Sequence, residues 1–138
     1  MTTHSTDSRW ATMAVLVARL IFVAVFAMAT AFKLIDIGAT ANYIATAGFP
    51  MPMLLAWLAV LFEVALIVCL LTGAYFSAAS LLAAAYVVFL AFAFHGPARW
   101  AGNQAEFGFF VDHFTFIAGL LFAAAYGPGR VLAVKLGN

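Results

Sequence analysis

The sequence predicts an all-α integral membrane protein, a four-helix up-down bundle with a short interfacial segment between its first two helices. Three observations predict it. Hydrophobic residues make up 67% of the chain and charged residues only 8%, against about half and about a quarter in ordinary globular domains. The mean hydropathy is +1.13, and a chain of 138 residues cannot hide that much apolar surface from water in its own core. The apolar residues also fall into four blocks of membrane-spanning length, about 20 residues at 1.5 Å rise each.

The spans are expected at about Thr12–Phe32, Met53–Thr72, Phe76–Phe94 and Gly108–Tyr126. Backbone groups in hydrocarbon must pair within their own segment, which requires helices. A strand would show period-2 polarity, whereas the run Leu54–Phe62 is apolar on every face. Gly38, Gly48, Pro50 and Pro52 break the chain between the first two spans. The piece Ala39–Ala47 is mildly amphipathic and is expected to lie in the headgroup plane. The connection around Gly73 is so short that the second and third spans must form an antiparallel hairpin. Residues 95–107 form the one polar loop, and Gly127-Pro128-Gly129 ends the last helix. The chain divides into a polar tail, residues 1–11, one membrane domain, 12–130, and a short C-terminal tail, 131–138.

Four spans place both termini on one side. Arg9, Arg130 and Lys135 lie on that side, with Arg19 behind them, against Lys33 and Arg99 on the other. This charge bias puts both termini in the cytoplasm. Trp10, Tyr75 and Tyr126 would mark one interface and Tyr43 and Trp100 the other. Small residues such as Ala27 and Ala29 resemble a leader cleavage site, but the apolar run starts late and Arg19 interrupts it, so the segment is read as a permanent helix.

A net charge of +1 lacks the basic excess that nucleic-acid binding needs. Cys69 is the single cysteine, which excludes an internal disulfide, a CxxC pair and a thiolate metal cage. It sits among Leu and Val and reads as an inert core thiol.

Ionisable groups at depth carry the information, because each is costly in hydrocarbon. The ten Val, Leu, Ile and Phe residues of the first span contribute roughly −3 to −6 kcal/mol to insertion, against roughly +2.5 to +3.5 kcal/mol for a central arginine. Arg19 is therefore tolerated. Glu63 lies near mid-membrane on a short stem and must be neutral, paired or beside water. By helical rise the two differ in depth by about 5 Å, so an Arg19–Glu63 pair is expected. Lys33, His95, Asp112 and His113 fall on the opposite leaflet and are expected to converge beneath the polar loop, with Lys33 pairing Asp112. Arg19, Lys33, Glu63, His95, Asp112 and His113 form the candidate polar or ligand pocket. It is either an anchoring network or a small-molecule site, a quinone headgroup being the foremost ligand. No His-x-x-x-His or Glu-x-x-His spacing occurs, and two histidines on different helices are a thin basis for haem, so no metal site is assigned. No catalytic residue is identified. Small residues four apart, Ala14 and Ala18, Ala79 and Ala83, Gly119 and Ala123, permit close helix contact within the bundle or in a homo-oligomer.

The order of these features resembles the DoxX family of small bacterial four-helix membrane proteins. The resemblance spans roughly residues 15–130. It rests on Arg19, Phe26 and Lys33 in the first span, then Gly48-Phe49-Pro50 and Pro52, Trp57-Leu58 and Glu63. It continues through Gly73 with Ala78-Ala79, then His95, Asn103, Phe107, His113 and Gly127-Pro128-Gly129-Arg130. Two features depart from the family's habit: no basic residue follows Gly73 closely, and Val131-Leu132-Ala133 replaces a Ser-x-Asp. The resemblance implies an inner-membrane protein linked to thiosulfate:quinone oxidoreduction or to complexes handling thiol and oxidative stress. It also implies a bundle like that of vitamin K epoxide reductase, although dithiol exchange needs two cysteines. The resulting expectation is an accessory subunit of a quinone- or thiol-linked membrane redox assembly, rather than an isolated catalyst. Its partners would be lipid and a membrane or peripheral redox protein. A non-catalytic scaffold is the alternative, and a small-solute carrier the third reading.

Overall fold

A computed structural model describes the backbone of residues 4–137 and the side chains of residues 9–137. The described residues form α1 (His4–Ile35), α2 (Ile37–Thr46), α3 (Pro52–Thr72), α4 (Phe76–His95), a single 3-10 turn at Pro97–Arg99, and α5 (Gln104–Tyr126). Four of these helices are long and apolar enough to cross a membrane: α1 from Arg9, α3, α4 and α5. The fold is all-α, as the composition dictates, and the protein is a multi-pass membrane protein.

The helix ends follow from local chemistry. Asp36 caps α2, its Oδ1 accepting the Ala39 N–H at 2.8 Å. Asn103 caps α5 in the same way through the Glu106 N–H, which starts that helix four residues before Gly108. Pro52 opens α3 at its first turn, where its missing N–H costs nothing. Gly73 closes α3 in the left-handed conformation, φ 79°, and donates its N–H to the Cys69 carbonyl at 2.8 Å. A Cβ at Gly73 would stand 3.0 Å from the Ala133 Cα, so space as well as φ requires glycine there.

α1 runs antiparallel to α3, with Arg19 level with Leu70 and Thr30 level with Glu63. α3 turns into α4, and α4 packs antiparallel on α5, where Phe92 meets Phe110 and His95 meets Phe109. α5 returns to α1 at Phe22, which touches Phe116 and lies 2.9 Å from where a Cβ on Gly119 would stand. The main core joins Phe26, Leu66, Leu70, Phe76, Ala83, Val87, Ile117 and Leu120. Ala79, Ser80, Ala83, Ala84 and Ala91 give α4 a buried face of small residues that lets its neighbours approach. Ser80 Oγ is buried there without a hydrogen-bond partner. A second cluster of Ala41, Ile44, Ala56 and Phe94 seats α2 across α3 and α4. Leu54, Leu58, Leu61, Leu81, Phe92 and Phe122 are exposed; in water such a surface would aggregate, whereas lipid covers it at no cost.

The chain beyond Gly129 folds back on the turn between α3 and α4. The Tyr75 N–H donates to the Leu136 carbonyl at 2.7 Å and the Val134 N–H to the Thr72 carbonyl at 2.9 Å. Leu132 holds a positive φ of 52° on this return path.

Candidate functional site

Glu63 is 1% exposed and fully engaged. Its Oε1 accepts from Lys33 Nζ at 2.9 Å and from the Tyr86 hydroxyl at 2.9 Å. Its Oε2 accepts from Lys33 Nζ at 3.1 Å and from the Thr30 hydroxyl at 2.9 Å. Four donors on two oxygens are the environment of an ionised carboxylate. A third Lys33 donor reaches the Ala29 carbonyl at 3.3 Å. The buried acid is thus paired, but with Lys33.

The expected Arg19–Glu63 pair does not form, and the reason is the direction of helical side chains. The Cα–Cβ bonds of a helix lean toward its N-terminus. On α1 that lean carries Lys33 down toward Glu63 and carries Arg19 away from it. Arg19 sits level with Leu70 and Leu71, seven or eight residues from Glu63 along α3, or roughly 11 Å by helical rise. Instead Arg19 is 3% exposed and gives all five N–H groups to carbonyl oxygens. Nε donates to Leu70, Nη1 to Pro128 and Val131, and Nη2 to Leu71 and Leu132, at 2.7 to 3.2 Å. Its guanidinium also stands 5.5 Å from the Phe76 ring centre. Arg19 therefore fastens the C-terminal return to the end of α3, outside the candidate pocket.

Lys33 is spent on Glu63, so the expected Lys33–Asp112 pair is also absent. Asp112 is exposed on α5, while its neighbour His113, one residue further round the helix, faces the bundle. His113 Nδ1 lies 2.6 Å from the Phe109 carbonyl. His95 ends α4, with Nδ1 2.7 Å from Glu106 Oε2. The two imidazole rings are 5.0 Å apart.

Lys33, His95 and His113 line one cleft of about 780 Å³ between α1, α2, α3 and α4, with His113 reaching it from α5, and the exposed Phe32, Leu58 and Phe89 stand at its walls. Its walls are otherwise aromatic and aliphatic: Phe32, Tyr43, Phe49, Leu58, Phe62 and Phe89. Tyr86 sits at the inner wall, its ring 5.1 Å from Phe62, and hands the cleft's edge on to Glu63. Tyr43 stacks on Phe94 at 5.1 Å, and the Arg99 guanidinium stands 5.8 Å from the Tyr43 ring centre. Burial, reinforced by Glu106 and opposed by Arg99, holds the Tyr43 phenol above its ordinary pKa, so it remains a neutral hydroxyl. A large apolar cleft with few convergent polar groups is the usual form of a small-molecule site.

Of the six residues expected in one pocket, the structure brings together Lys33, Glu63, His95 and His113 and separates Arg19 and Asp112. Three contributors escaped the sequence reading: Thr30, Tyr86 and Glu106. Tyr86 carried a signal, since a tyrosine in mid-span must find a partner for its hydroxyl. Among the described residues no group of three or more His, Cys, Asp or Glu side chains converges as a metal site would require.

No curated protein and no solved structure matches the chain. The family model DoxX matches residues 14–96. That segment is more than half of the chain and holds Arg19, Lys33, Glu63, Tyr86 and His95, so the protein is a member of the DoxX family.

Proposed function

We propose that this DoxX protein is an accessory subunit of a membrane redox assembly and that the cleft receives a quinone-class headgroup. The observation that carries the reading is the aromatic cleft with Lys33, Tyr86, His95 and His113 on its lining and the buried Glu63 behind it. The residues fit such a ligand. A quinone ring is flat and apolar apart from two oxygens, and its isoprenoid tail can leave past the exposed Phe32, Leu58 and Phe89. Phe49, Phe62 and Phe89 suit the ring, and Tyr86 and the histidines suit the oxygens. The bound group would supply the electron chemistry; this chain would hold and orient it, with electrons exchanged by a partner protein.

The reading places the protein in a bacterial inner membrane with both termini in the cytoplasm, on the bias of Arg9, Arg130 and Lys135 against Lys33 and Arg99. The C-terminal return held by Arg19 would then face the cytoplasm and be the part presented to a peripheral redox partner. The test is gentle detergent extraction followed by analysis of retained quinone and co-purifying redox proteins. Retained quinone that is lost in His113→Ala with Glu63→Gln supports the reading. Unchanged quinone content and partner activity in that variant sinks it.

One observation favours a non-catalytic scaffold: every Lys33 donor and both Glu63 oxygens already have partners inside the bundle. The two readings separate on whether the cleft takes a ligand. All four spanning helices run unbroken, which leaves a solute carrier without the discontinuous helices such proteins use.

A further inference from the structure

The segment that folds back across the turn between α3 and α4 is held by its backbone and turns its large side chains outward. It crosses the bundle where α3 ends at Thr72, α4 begins at Phe76 and α5 ends at Tyr126, which is where these spans leave the hydrocarbon layer. Gly129 abuts Val15 of α1, Ala133 presses on Gly73, and Gly137 lies so close to the Tyr75 ring that it has no room for a side chain. Arg19 holds the Pro128, Val131 and Leu132 carbonyls. Leu132 keeps a positive φ of 52°, a conformation that a leucine holds only where its surroundings dictate it. Yet Leu132, Val134 and Leu136 are each half exposed or more. Three large aliphatic side chains fixed outward on one short segment are unfavourable in water and favourable against lipid.

Charge points the same way. Arg130 and Lys135 bracket these residues, both exposed, and neither has a hydrogen-bond or ion-pair partner among the described residues. Arg9 is exposed at the same end. The carboxylates with described side chains, Asp36, Glu63, Glu106 and Asp112, lie in mid-span or toward the other end of the bundle. Tyr75 and Tyr126 stand exposed at the helix ends beside the segment, the position that tyrosine takes at a membrane–water boundary.

We infer that residues 130–137 form an interfacial anchor that recognises anionic phospholipid. Arg130 and Lys135 meet the headgroup phosphates, and Leu132, Val134 and Leu136 enter the acyl boundary beneath them. A basic side chain near an anionic lipid surface favours it by about fivefold. Because Arg19 and the backbone bonds fix the segment in advance, little conformational freedom is lost on contact. The anchor makes no use of the cleft, so its failure leaves the quinone reading where it stands.

Two measurements on the full chain test this. The first counts lipids retained, by native mass spectrometry, after release from nanodiscs of equal parts phosphatidylglycerol and phosphatidylcholine. The phosphatidylglycerol enrichment is expected to be at least fivefold higher in the wild type than in Arg130→Gln with Lys135→Gln. Both side chains are exposed and unpartnered, so thermal unfolding should not change. Equal enrichment in the two proteins overturns the anionic preference. The second places a nitroxide at Leu136→Cys in a Cys69→Ala chain, in the same nanodiscs. The label is expected to collide more often with oxygen than with a water-soluble nickel chelate. Full accessibility to the chelate overturns the anchor and leaves the apolar side chains for a protein partner. The lipid count needs no label, so the inference remains testable should the cysteine variant fail to fold.

Discussion

Lys33 and Glu63 form an ion pair 2.9 Å apart across α1 and α3, with Glu63 buried and Lys33 partly exposed, and the lean of helical side chains chooses this partner for Glu63 over Arg19. Removing one member of such a pair strands the other in a medium that cannot solvate it. Lys33→Met is therefore expected to lower stability by about 3 kcal/mol. Lys33→Met with Glu63→Gln removes both charges and keeps an acceptor for Thr30 and Tyr86, so it should recover most of that loss. Thermal unfolding of the three variants in one detergent measures this. Equal loss in single and double variants would contradict the pairing.

Arg19 joins five carbonyls from two segments, residues 70–71 and 128–132, and only a guanidinium presents five donors in one fork. Arg19→Lys should therefore fail to substitute for it, and both Arg19→Lys and Arg19→Ala should free residues 131–137 from the turn between α3 and α4. Carboxypeptidase trimming reads this directly: the C-terminal tail is expected to be cut at least tenfold faster in both variants. Rescue by lysine would show that charge alone, rather than the array of carbonyl contacts, holds the tail.

Gly73 works in the same joint. Alanine there must adopt a positive φ and stand 3.0 Å from Ala133, so Gly73→Ala should cost about 1 to 2 kcal/mol. The tail should loosen with it. Thermal unfolding together with the same trimming assay measures both effects.

Ser80 carries the opposite expectation. Its hydroxyl is buried and unpartnered, so Ser80→Ala removes a desolvated group and keeps the small α4 face. Stability should rise by about 1 kcal/mol. A loss on the same scale would reveal a partner for the hydroxyl.

The sequence made the spans legible because lipid turns length and hydropathy into a direct readout of helices. It also marked Glu63, Lys33, His95 and His113, since a titratable group at depth has few explanations. It did not reveal the partners. The Arg19–Glu63 expectation counted rise along the helix axes and ignored the lean of the side chains and the extra turns at both ends of α1. Lys33–Asp112 failed because only one of the adjacent residues Asp112 and His113 can face the bundle. The fold-back of residues 131–137 left no periodic signal: its bonds are backbone to backbone, and its anchor, Arg19, lies more than 100 residues away in sequence.

Ala59 lines the cleft and its side chain takes no part in the Glu63 hydrogen bonds, so Ala59→Trp fills the space without removing a member of the ion pair. The decisive measurement is saturation binding of decyl-benzoquinone to the wild type and to Ala59→Trp in nanodiscs, with thermal unfolding as the check on folding. Affinity is expected to fall at least tenfold in a variant that unfolds at the wild-type temperature. Unchanged affinity in that folded variant would contradict a ligand site in the cleft.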